Sequence, residues 1–561
     1  MSLLGSAIPW AALAGLLLLL WKLARNYVLR SPLDAIPGPM PPSVLKGNMA
    51  QLQNRGAWPF LDHLTNDYGQ VVKCTGMLGR PVLWVFDPKA MHHVTVKDQD
   101  VYEEAPSQIQ GFSSICVVEP TALPSGEHHR KQRKLLNPVF SIAHMRRLTP
   151  IFYEVVNRSR TGIQMQLKAS QTEEVDVLVW MSRTALELMG QGGFGHSFDP
   201  LVEDVQNDFA VAVKDFSPTL SRLALFRLVI HVLDPLIDLC QRYPAVGAFI
   251  KRHFYLVPHS GMQRMKALLD VLDSTSRQIY AEKKIALDSN DEELKIKVME
   301  GRDLMSVLLR ENMNADSADK LPEEEIIAQI TTFTLAGTDT TSGAMARILH
   351  LLCLNPDVQE RLRAELLKAR SQNDGQDLEY DELVSLPYLD AICRETMRLY
   401  PPVAFASRES MRDIIMPLST PLTLRDGTST TAIHVPKGTA IMIGIYSSNR
   451  NKAIWGNDAC EWKPERWLDS KLPESVTDAK IPGVYSNLQS ALTHLYICSG
   501  FKFSQLEMKV LLAMLITSFR LSLCKGKNGD IFWNRAGIAY PTVGPDGKKP
   551  SLPLRVEPLE A

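Results

Sequence analysis

Apolar residues recur every three to four positions over long parts of this chain, the spacing that places them on one face of an α-helix. The longest such stretch runs from about Pro322, ahead of three glutamates, to about Asn355, where Pro356 ends it. At 1.5 Å per residue it would be roughly 50 Å long, enough to cross a whole domain. A second amphipathic run extends from Phe501 to Phe519. Helices therefore dominate the predicted fold.

Strand patterns are shorter and fewer. Between Val71 and Phe86, β-branched and aromatic residues are interrupted by glycine and proline, which predicts a β-hairpin. The acidic region from Ser289 to Lys320 favours a loop around one short helix, Asp303 to Asn312. We find no internal repeats. The expected fold class is mainly α with small β-sheets.

The N-terminus carries an uncharged run, Leu3 to Trp21, that is long enough to cross a bilayer as a helix of about 20 residues. A cleaved signal peptide is the alternative, but the usual basic segment before the apolar run is missing. Lys22, Arg25 and Arg30 follow the run, and the positive-inside rule then keeps the rest of the chain in the cytosol. We therefore expect a membrane anchor helix at residues 1–24.

Prolines follow the anchor. The segment from Ile36 to Pro42 contains four of them, and because proline prevents helix, residues 25–47 are expected to form a stiff, extended linker. The remaining residues, 48–561, contain the helical patterns and are expected to form the folded domain of the protein.

Composition excludes several classes of protein. The 61 basic and 62 acidic residues nearly cancel, so no global charge points to nucleic acid. The eight cysteines lack CxxC pairs and regular spacing, which is typical of a reducing compartment and argues against a disulfide framework or a zinc site.

Cys498 has the most suggestive surroundings of these cysteines. A lone cysteine is more often a small buried apolar residue than a ligand. Here Gly500 and the helical run from Phe501 follow directly, and a cysteine before a helix N-terminus is favoured as the thiolate, the form that binds metal.

Cys498 and Gly500 occupy the last two fixed positions of the pattern Phe-x-x-Gly-x-x-x-Cys-x-Gly. The chain here resembles the cytochrome P-450 superfamily of haem-thiolate monooxygenases, in particular its membrane-bound fungal members. Ala491, His494 and Tyr496 depart from the pattern, since the family has Phe, Gly and a basic residue there. The resemblance implies haem b as the cofactor and Cys498 as the axial ligand of its iron.

The motif Ala336-Gly-Thr-Asp-Thr-Thr341 lies inside the longest predicted helix. Glycine and threonine are poor helix formers, so a simple kink is one explanation. The resemblance implies instead that this helix crosses the haem face. Thr340 and Asp339 would then deliver the protons that cleavage of the O–O bond requires.

A basic run, Gly126 to Lys134, lies at a predicted helix start. A solvated charged face is the ordinary interpretation. The resemblance implies that Arg133 pairs with a haem propionate, that His129 adds a second hydrogen bond, and that Arg408 contacts a propionate as well. The other basic residues of the run would form a landing patch for an acidic electron donor: Arg130, Lys131 and Lys134.

Glu395 and Arg398 lie three residues apart, so they share one helix face. Such a pair is usually a surface salt bridge worth under about 1 kcal/mol. The resemblance implies that Arg466 joins them in a buried network that has a structural role.

The family also suggests which residues face the substrate. The turn after Pro401 and the last strands would contribute an apolar wall, which points to a lipophilic compound such as a terpenoid or another secondary metabolite. Its expected members are Phe112, Val403, Phe405, Ile538 and Ala539.

The resemblance implies a monooxygenase on the endoplasmic reticulum membrane, with residues 48–561 as its haem-thiolate catalytic domain in the cytosol. NADPH-derived electrons would come from a cytochrome P-450 reductase, with cytochrome b5 as a second candidate donor. Two alternatives arise because Gln489 to Ser499 looks foreign to the family. The chain could be a haem-deficient binding or scaffold protein, or the gene model of an active enzyme could carry a misplaced exon boundary.

Overall fold

The computed structural model describes residues 31–104, 126–170, 172–203, 207–223, 252–288, 303–316, 319–468, 472–479 and 500–559, with single positions at 243, 245, 249, 250 and 481. These residues are mainly helical with small sheets, as the sequence predicts. Among them, no helix is both long and apolar enough to span a membrane. The predicted anchor, residues 1–24, lies outside them.

Helices of very different length make up most of the described chain. In order they are α1 Met49–Leu52, α2 Trp58–Asn66, α3 Pro88–His92, α4 Gly126–Leu136, α5 Ile142–Ser170, α6 Val177–Leu188, α7 Asp208–Arg222, α8 Ser260–Asp288, α9 Leu304–Asn314, α10 Glu323–Leu354, α11 Pro356–Gln372, α12 Tyr380–Ser385, α13 Pro387–Leu399, α14 Ile445–Asn449, α15 Lys452–Trp455, α16 Glu474–Asp478 and α17 Phe501–Ser518. Short 3₁₀ and π-helical turns, including Met189–Phe194 and Pro464–Trp467, connect some of them.

The strands are short and form four small sheets. In order they are β1 Val71–Thr75, β2 Pro81–Val85, β3 Tyr102–Glu103, β4 Glu174–Asp176, β5 Ala406–Ser410, β6 Ile414–Thr423, β7 Ser429–Val435, β8 Ala440–Ile443, β9 Phe519–Leu523, β10 Ile531–Ala536, β11 Ile538–Val543 and β12 Pro553–Pro558.

Chain contacts divide the protein into two units. The first contains the described parts of Met1–Ala105, Phe405–Ala459 and Ser475–Pro482. Its main sheet has the order β1-β2-β8-β5-β3, in which β2 and β8 are parallel and the other neighbours antiparallel. The antiparallel pair β1–β2 is the predicted hairpin, and β6 and β7 form a second hairpin in this unit.

The second unit contains most of the helices and one continuous apolar core, and it comprises Pro106–Ala404, Cys460–Glu474 and Gly483–Ala561 in their described parts. Helix α10 packs along α6, and β4, β12 and β9 form a three-stranded sheet beside it. Strands β10 and β11 form a separate antiparallel hairpin.

Helix α10 has the limits that its sequence predicts. Pro322 is its N-cap, and the three glutamates of its first turn favour the positive end of the helix dipole. Asn355 leaves the helical conformation because Pro356 follows it. Helix α9, at Leu304–Asn314, likewise matches the short predicted helix, since the Asp303 side chain caps it by accepting from the Ser306 amide at 2.9 Å.

Candidate active site

The middle of α10 is accessible on one face. Ala336 is exposed and Thr340, one turn further along, is half-buried, whereas Thr338 and Thr341 are buried. Gly337 faces Met189 and not the accessible side, because a Cβ at this position would clash with the Cε atom of Met189. The motif therefore presents Ala336 and Thr340 together on the face that a cofactor or substrate can approach.

Thr340 and Asp339 are arranged to hold and move protons. The Thr340 hydroxyl donates to the Ala336 carbonyl oxygen at 2.6 Å, which leaves its oxygen lone pairs free to accept from an incoming donor. Burial raises the pKa of Asp339 to about 6, and the positive charge of Lys214 on α7 opposes that shift only in part. Near neutral pH this carboxyl group can therefore both take up and release a proton.

Glu507 lies behind the same stretch of α10. Its side chain is fully buried on α17, and neither carboxylate oxygen has a well-oriented hydrogen-bond partner within the described chain. Burial raises the pKa of Glu507 well above its usual range, and the nearby Thr341 hydroxyl offsets only part of the effect. Glu507 is therefore a neutral carboxylic acid over a pH range in which an exposed glutamate is ionised.

Helix α4 is fixed to the start of α10 by its side chains. His128 Nε2 lies 3.0 and 2.9 Å from the two carboxylate oxygens of Glu325, and Gln132 Nε2 donates to the same carboxylate at 2.9 Å. Glu325 is buried on the first turn of α10. Arg133 follows Gln132 on the same helix and is half-buried.

The basic residues on α4 differ in exposure. Arg130 is exposed, Lys131 is half-buried, and Lys134 is exposed with its Nζ atom 2.7 Å from Asp319 Oδ2. Their predicted role as a landing patch for an electron donor stays a prediction.

Glu395, Arg398 and Arg466 meet in the interior of the second unit. Arg398 donates from Nε and Nη2 to the two Glu395 oxygens, each at 2.8 Å, and both side chains are fully buried. Arg466 Nε lies 3.5 Å from Glu395 Oε1, and Trp467 Nε1 donates to Glu395 Oε2 at 3.0 Å. One carboxylate thus fixes the chain at Pro464–Trp467, ahead of the cysteine segment.

Three of the predicted substrate contacts come together in the second unit. Val403 forms an isolated β-bridge with Ile538, and the Ala539 amide donates to the Pro402 carbonyl oxygen at 3.0 Å. Ala539 also lies close to α10, because a Cβ on Gly343 would be 3.3 Å from its carbonyl oxygen. The structure therefore forms an apolar wall beside α10 from chain segments far apart in sequence.

Two further predicted site residues, Phe405 and Arg408, are assigned to the first unit. Phe405 belongs to the first unit, where its ring meets Trp84 edge to face at a centroid distance of 5.4 Å. Arg408 is buried in the same unit on β5, with Nη1 donating to the Ser407 carbonyl oxygen at 2.7 Å and 3.8 Å from Glu104 Oε1.

Two residues, Cys498 and Phe112, lie outside the described residues, as does the His129 side chain. Helix α17 begins three residues after Cys498, at Phe501, with Gly500 as its N-cap. The predicted roles of these residues therefore stay predictions.

Sequence reasoning missed Glu325, Glu507 and Lys214. Glu507 does leave a signal, because Phe503 and Leu511 lie one helical turn on either side of it and both are apolar, so a charge interrupts the buried stripe. Glu325 looks like an ordinary first-turn acid, and Lys214 like a surface lysine. Only the tertiary contacts distinguish these two.

The chain is similar to known proteins over almost its whole length. Residues 37–545 match the family model described as cytochrome P-450. The chain is 46% identical over 550 residues to cytochrome P-450 monooxygenase 91 of Postia placenta, which covers 98% of each protein. It is also 42% identical over 558 residues to a ganoderic acid synthetase of Ganoderma lucidum, covering 99% of each.

Proposed function

Because the chain belongs to the cytochrome P-450 family of monooxygenases, whose cofactor is haem b, we propose that it oxidises a lipophilic secondary metabolite, such as a terpenoid. The observation that carries this proposal is the accessible face of α10. Thr340 lies on this face directly after Asp339, and one turn before Gly343, the residue that contacts the apolar wall of Val403, Ile538 and Ala539. The similarity to a protein named for ganoderic acid synthesis supports the substrate class.

The described residues fit haem. The accessible Ala336–Thr340 face lies on the helix that the family places over the cofactor, and Arg133 is half-buried on an α4 that Glu325 fixes to α10. In our proposal Cys498 would supply the thiolate ligand of the iron, and Arg133, His129 and Arg408 would bind the propionates. Haem supplies the activation of dioxygen with two electrons from NADPH.

The protein's own residues supply the protons and the orientation. Asp339 takes up a proton from solvent on the Lys214 side and passes it towards the Thr340 hydroxyl. Thr340 is held by its bond to the Ala336 carbonyl, so its oxygen keeps a fixed position at the accessible face. The apolar wall excludes water and orients the substrate.

We further propose that electrons arrive from a membrane-bound reductase, with cytochrome b5 as a second donor. The basic residues of α4 offer a complementary surface for an acidic partner. Residues 1–24 would hold the protein in the endoplasmic reticulum membrane with its catalytic part in the cytosol.

The test of haem binding is the carbon-monoxide difference spectrum of the reduced protein in microsomes. We expect the red-shifted Soret band that thiolate ligation produces, and Cys498→Ala should abolish it. A folded protein without any haem signal would overturn the proposal in favour of a haem-deficient binding protein.

Thr340→Ala tests the proton path separately. The variant should retain its haem and its carbon-monoxide spectrum, but it should release reduced oxygen as peroxide or water in place of product, because proton delivery is impaired. Product formation that stays tightly coupled to NADPH consumption would refute the role of Thr340.

A further inference from the structure

A stripe on the second half of α10 contacts both segments of the apolar wall. Gly343, Arg347 and His350 are spaced by four and three residues, so they share one face of the helix. Gly343 lies against the backbone of Ala539 on β11, as described above. The other two residues contact aromatic side chains that precede each wall segment in sequence.

Arg347 is sandwiched between two aromatic rings. Its guanidinium carbon lies 3.5 Å from the ring centroid of Trp533 on β10 and 4.2 Å from that of Tyr400 at the end of α13. A planar guanidinium group can stack on two rings at once, whereas the compact ammonium group of lysine cannot. Arg347 therefore joins three segments that are distant in sequence.

His350 contacts the same tryptophan through a hydrogen bond. Trp533 Nε1 donates to His350 Nδ1 at 3.2 Å, so this ring nitrogen carries no proton. Burial, assisted by the charge of Arg347, lowers the pKa of His350 to about 4. The histidine therefore stays neutral and keeps accepting this hydrogen bond near neutral pH.

Both wall segments are linked to these anchored residues by short stretches of chain. Tyr400 precedes Pro402 and Val403 by two and three residues, and Trp533 lies in the same hairpin as Ile538 and Ala539. The segments also bind each other, through the Val403–Ile538 bridge and the bond from the Ala539 amide to Pro402. The positions of the Tyr400 and Trp533 rings therefore constrain both segments of the wall.

We propose that Arg347 is a specificity-determining positioning residue, which acts through Trp533 and Tyr400 to set where the substrate wall stands over α10. Arg347 touches the rings and not the substrate, so its loss alters the shape of the pocket without removing a group that takes part in the reaction. This inference rests on the proposed function, because it assumes that the wall faces the substrate.

The experiment compares Arg347→Met and Arg347→Lys with the wild type, using two azoles as probes. Imidazole reports only on access to the iron, whereas econazole is bulky enough to contact the wall. We expect imidazole affinity to be unchanged and econazole affinity to fall about tenfold in Arg347→Met, because the wall loses its fixed position. The econazole affinity of Arg347→Lys should lie between those of the wild type and Arg347→Met.

Arg361→Met is the matched control. Arg361 on α11 also lies over an aromatic ring, 4.1 Å from the centroid of Tyr388 on α13, and it forms an ion pair with Glu465. None of these three residues belongs to the two wall segments. The control should bind both azoles like the wild type. Equal econazole affinity in Arg347→Met and Arg361→Met would overturn the proposal.

Hydrogen exchange provides a readout that needs no haem. The Ala539 amide and the other amides of residues 536–540 should exchange faster in Arg347→Met than in the wild type, and at the wild-type rate in Arg361→Met. Unchanged exchange of these amides in Arg347→Met would overturn the positioning role of Arg347, even if azole binding changed. If the wild type gave no imidazole spectrum, the proposed function would fail, while the exchange rates would still decide whether Arg347 holds the wall.

Discussion

Glu507 shows how a single buried residue sets a pH dependence. Its pKa in the folded protein lies well above 4.5, the ordinary value at which the unfolded chain releases the proton. As the pH rises above about 4.5, the unfolded state is therefore stabilised by ionisation while the folded state is not, and the free energy of unfolding decreases until the pH passes the folded pKa.

Glu507→Gln should remove this dependence. Glutamine has a similar shape and cannot ionise, so the free energy of unfolding in urea should vary less with pH and should match or exceed that of the wild type at neutral pH. Glu154→Gln, which changes an exposed glutamate on α5, is the control. A variant that keeps the wild-type pH dependence would show that Glu507 is ionised in the folded protein.

Asp339 and Lys214 allow a second prediction at this scale. Lys214 lowers the pKa of Asp339, so Lys214→Met should raise that pKa above about 6. The yield of product per NADPH should decline as the pH rises past this pKa, because less of the carboxyl group carries a proton, and the variant should move the decline to higher pH. Lys266→Met, which removes an ion-paired lysine on α8, should leave the profile in place. A shift to lower pH would contradict the assignment.

Among the structural elements, α13 carries the contact whose loss should cost the most stability. Glu395→Gln would leave Arg398 without a full counter-charge while both side chains are fully buried. We expect a loss of about 3–5 kcal/mol in the free energy of unfolding. Glu465→Gln changes a partly exposed glutamate that pairs with Arg361, and it should cost less than about 1 kcal/mol. Similar losses in the two variants, measured by urea unfolding, would contradict the proposed importance of burial.

Local signals account for the elements that the sequence predicted well. Pro322, the adjacent glutamates and Pro356 limit α10, and glycine and proline limit the β1–β2 hairpin, so these boundaries depend only on neighbouring residues. The contacts that tertiary packing creates were not predictable in this way. The bonds from His128 and Gln132 to Glu325 join residues almost 200 positions apart, and nothing in either segment indicates the other.

In the candidate site, too, residues in local motifs were predictable from the sequence and residues placed by tertiary packing were not. Thr340, Asp339 and the trio of Glu395, Arg398 and Arg466 carry recognisable motifs, and in the structure Arg398 and Arg466 both contact Glu395. Arg347 belongs to no recognisable motif. Its position depends on Tyr400 and Trp533, which reach it from different parts of the chain.

At the scale of the whole molecule, two strands that are neighbours in the sheet of the first unit are far apart in the sequence. The parallel neighbours β2 and β8 pair Val82 with Ala440 and Val85 with Ile443, and the described parts of Pro106–Ala404 all lie between them in sequence. Closing so long a loop is entropically unfavourable and no local signal encodes it, which is why the hairpin was predictable and this pairing was not.

That pairing has a consequence for biosynthesis. A ribosome adding about 5–20 residues per second needs on the order of tens of seconds to make the chain between β2 and β8. During that interval β2, which is almost entirely buried in the finished protein, has one edge without its final neighbour. The nascent hairpin therefore offers an unpaired edge to other chains until β8 emerges, so the yield of this protein should depend on chaperone supply during translation.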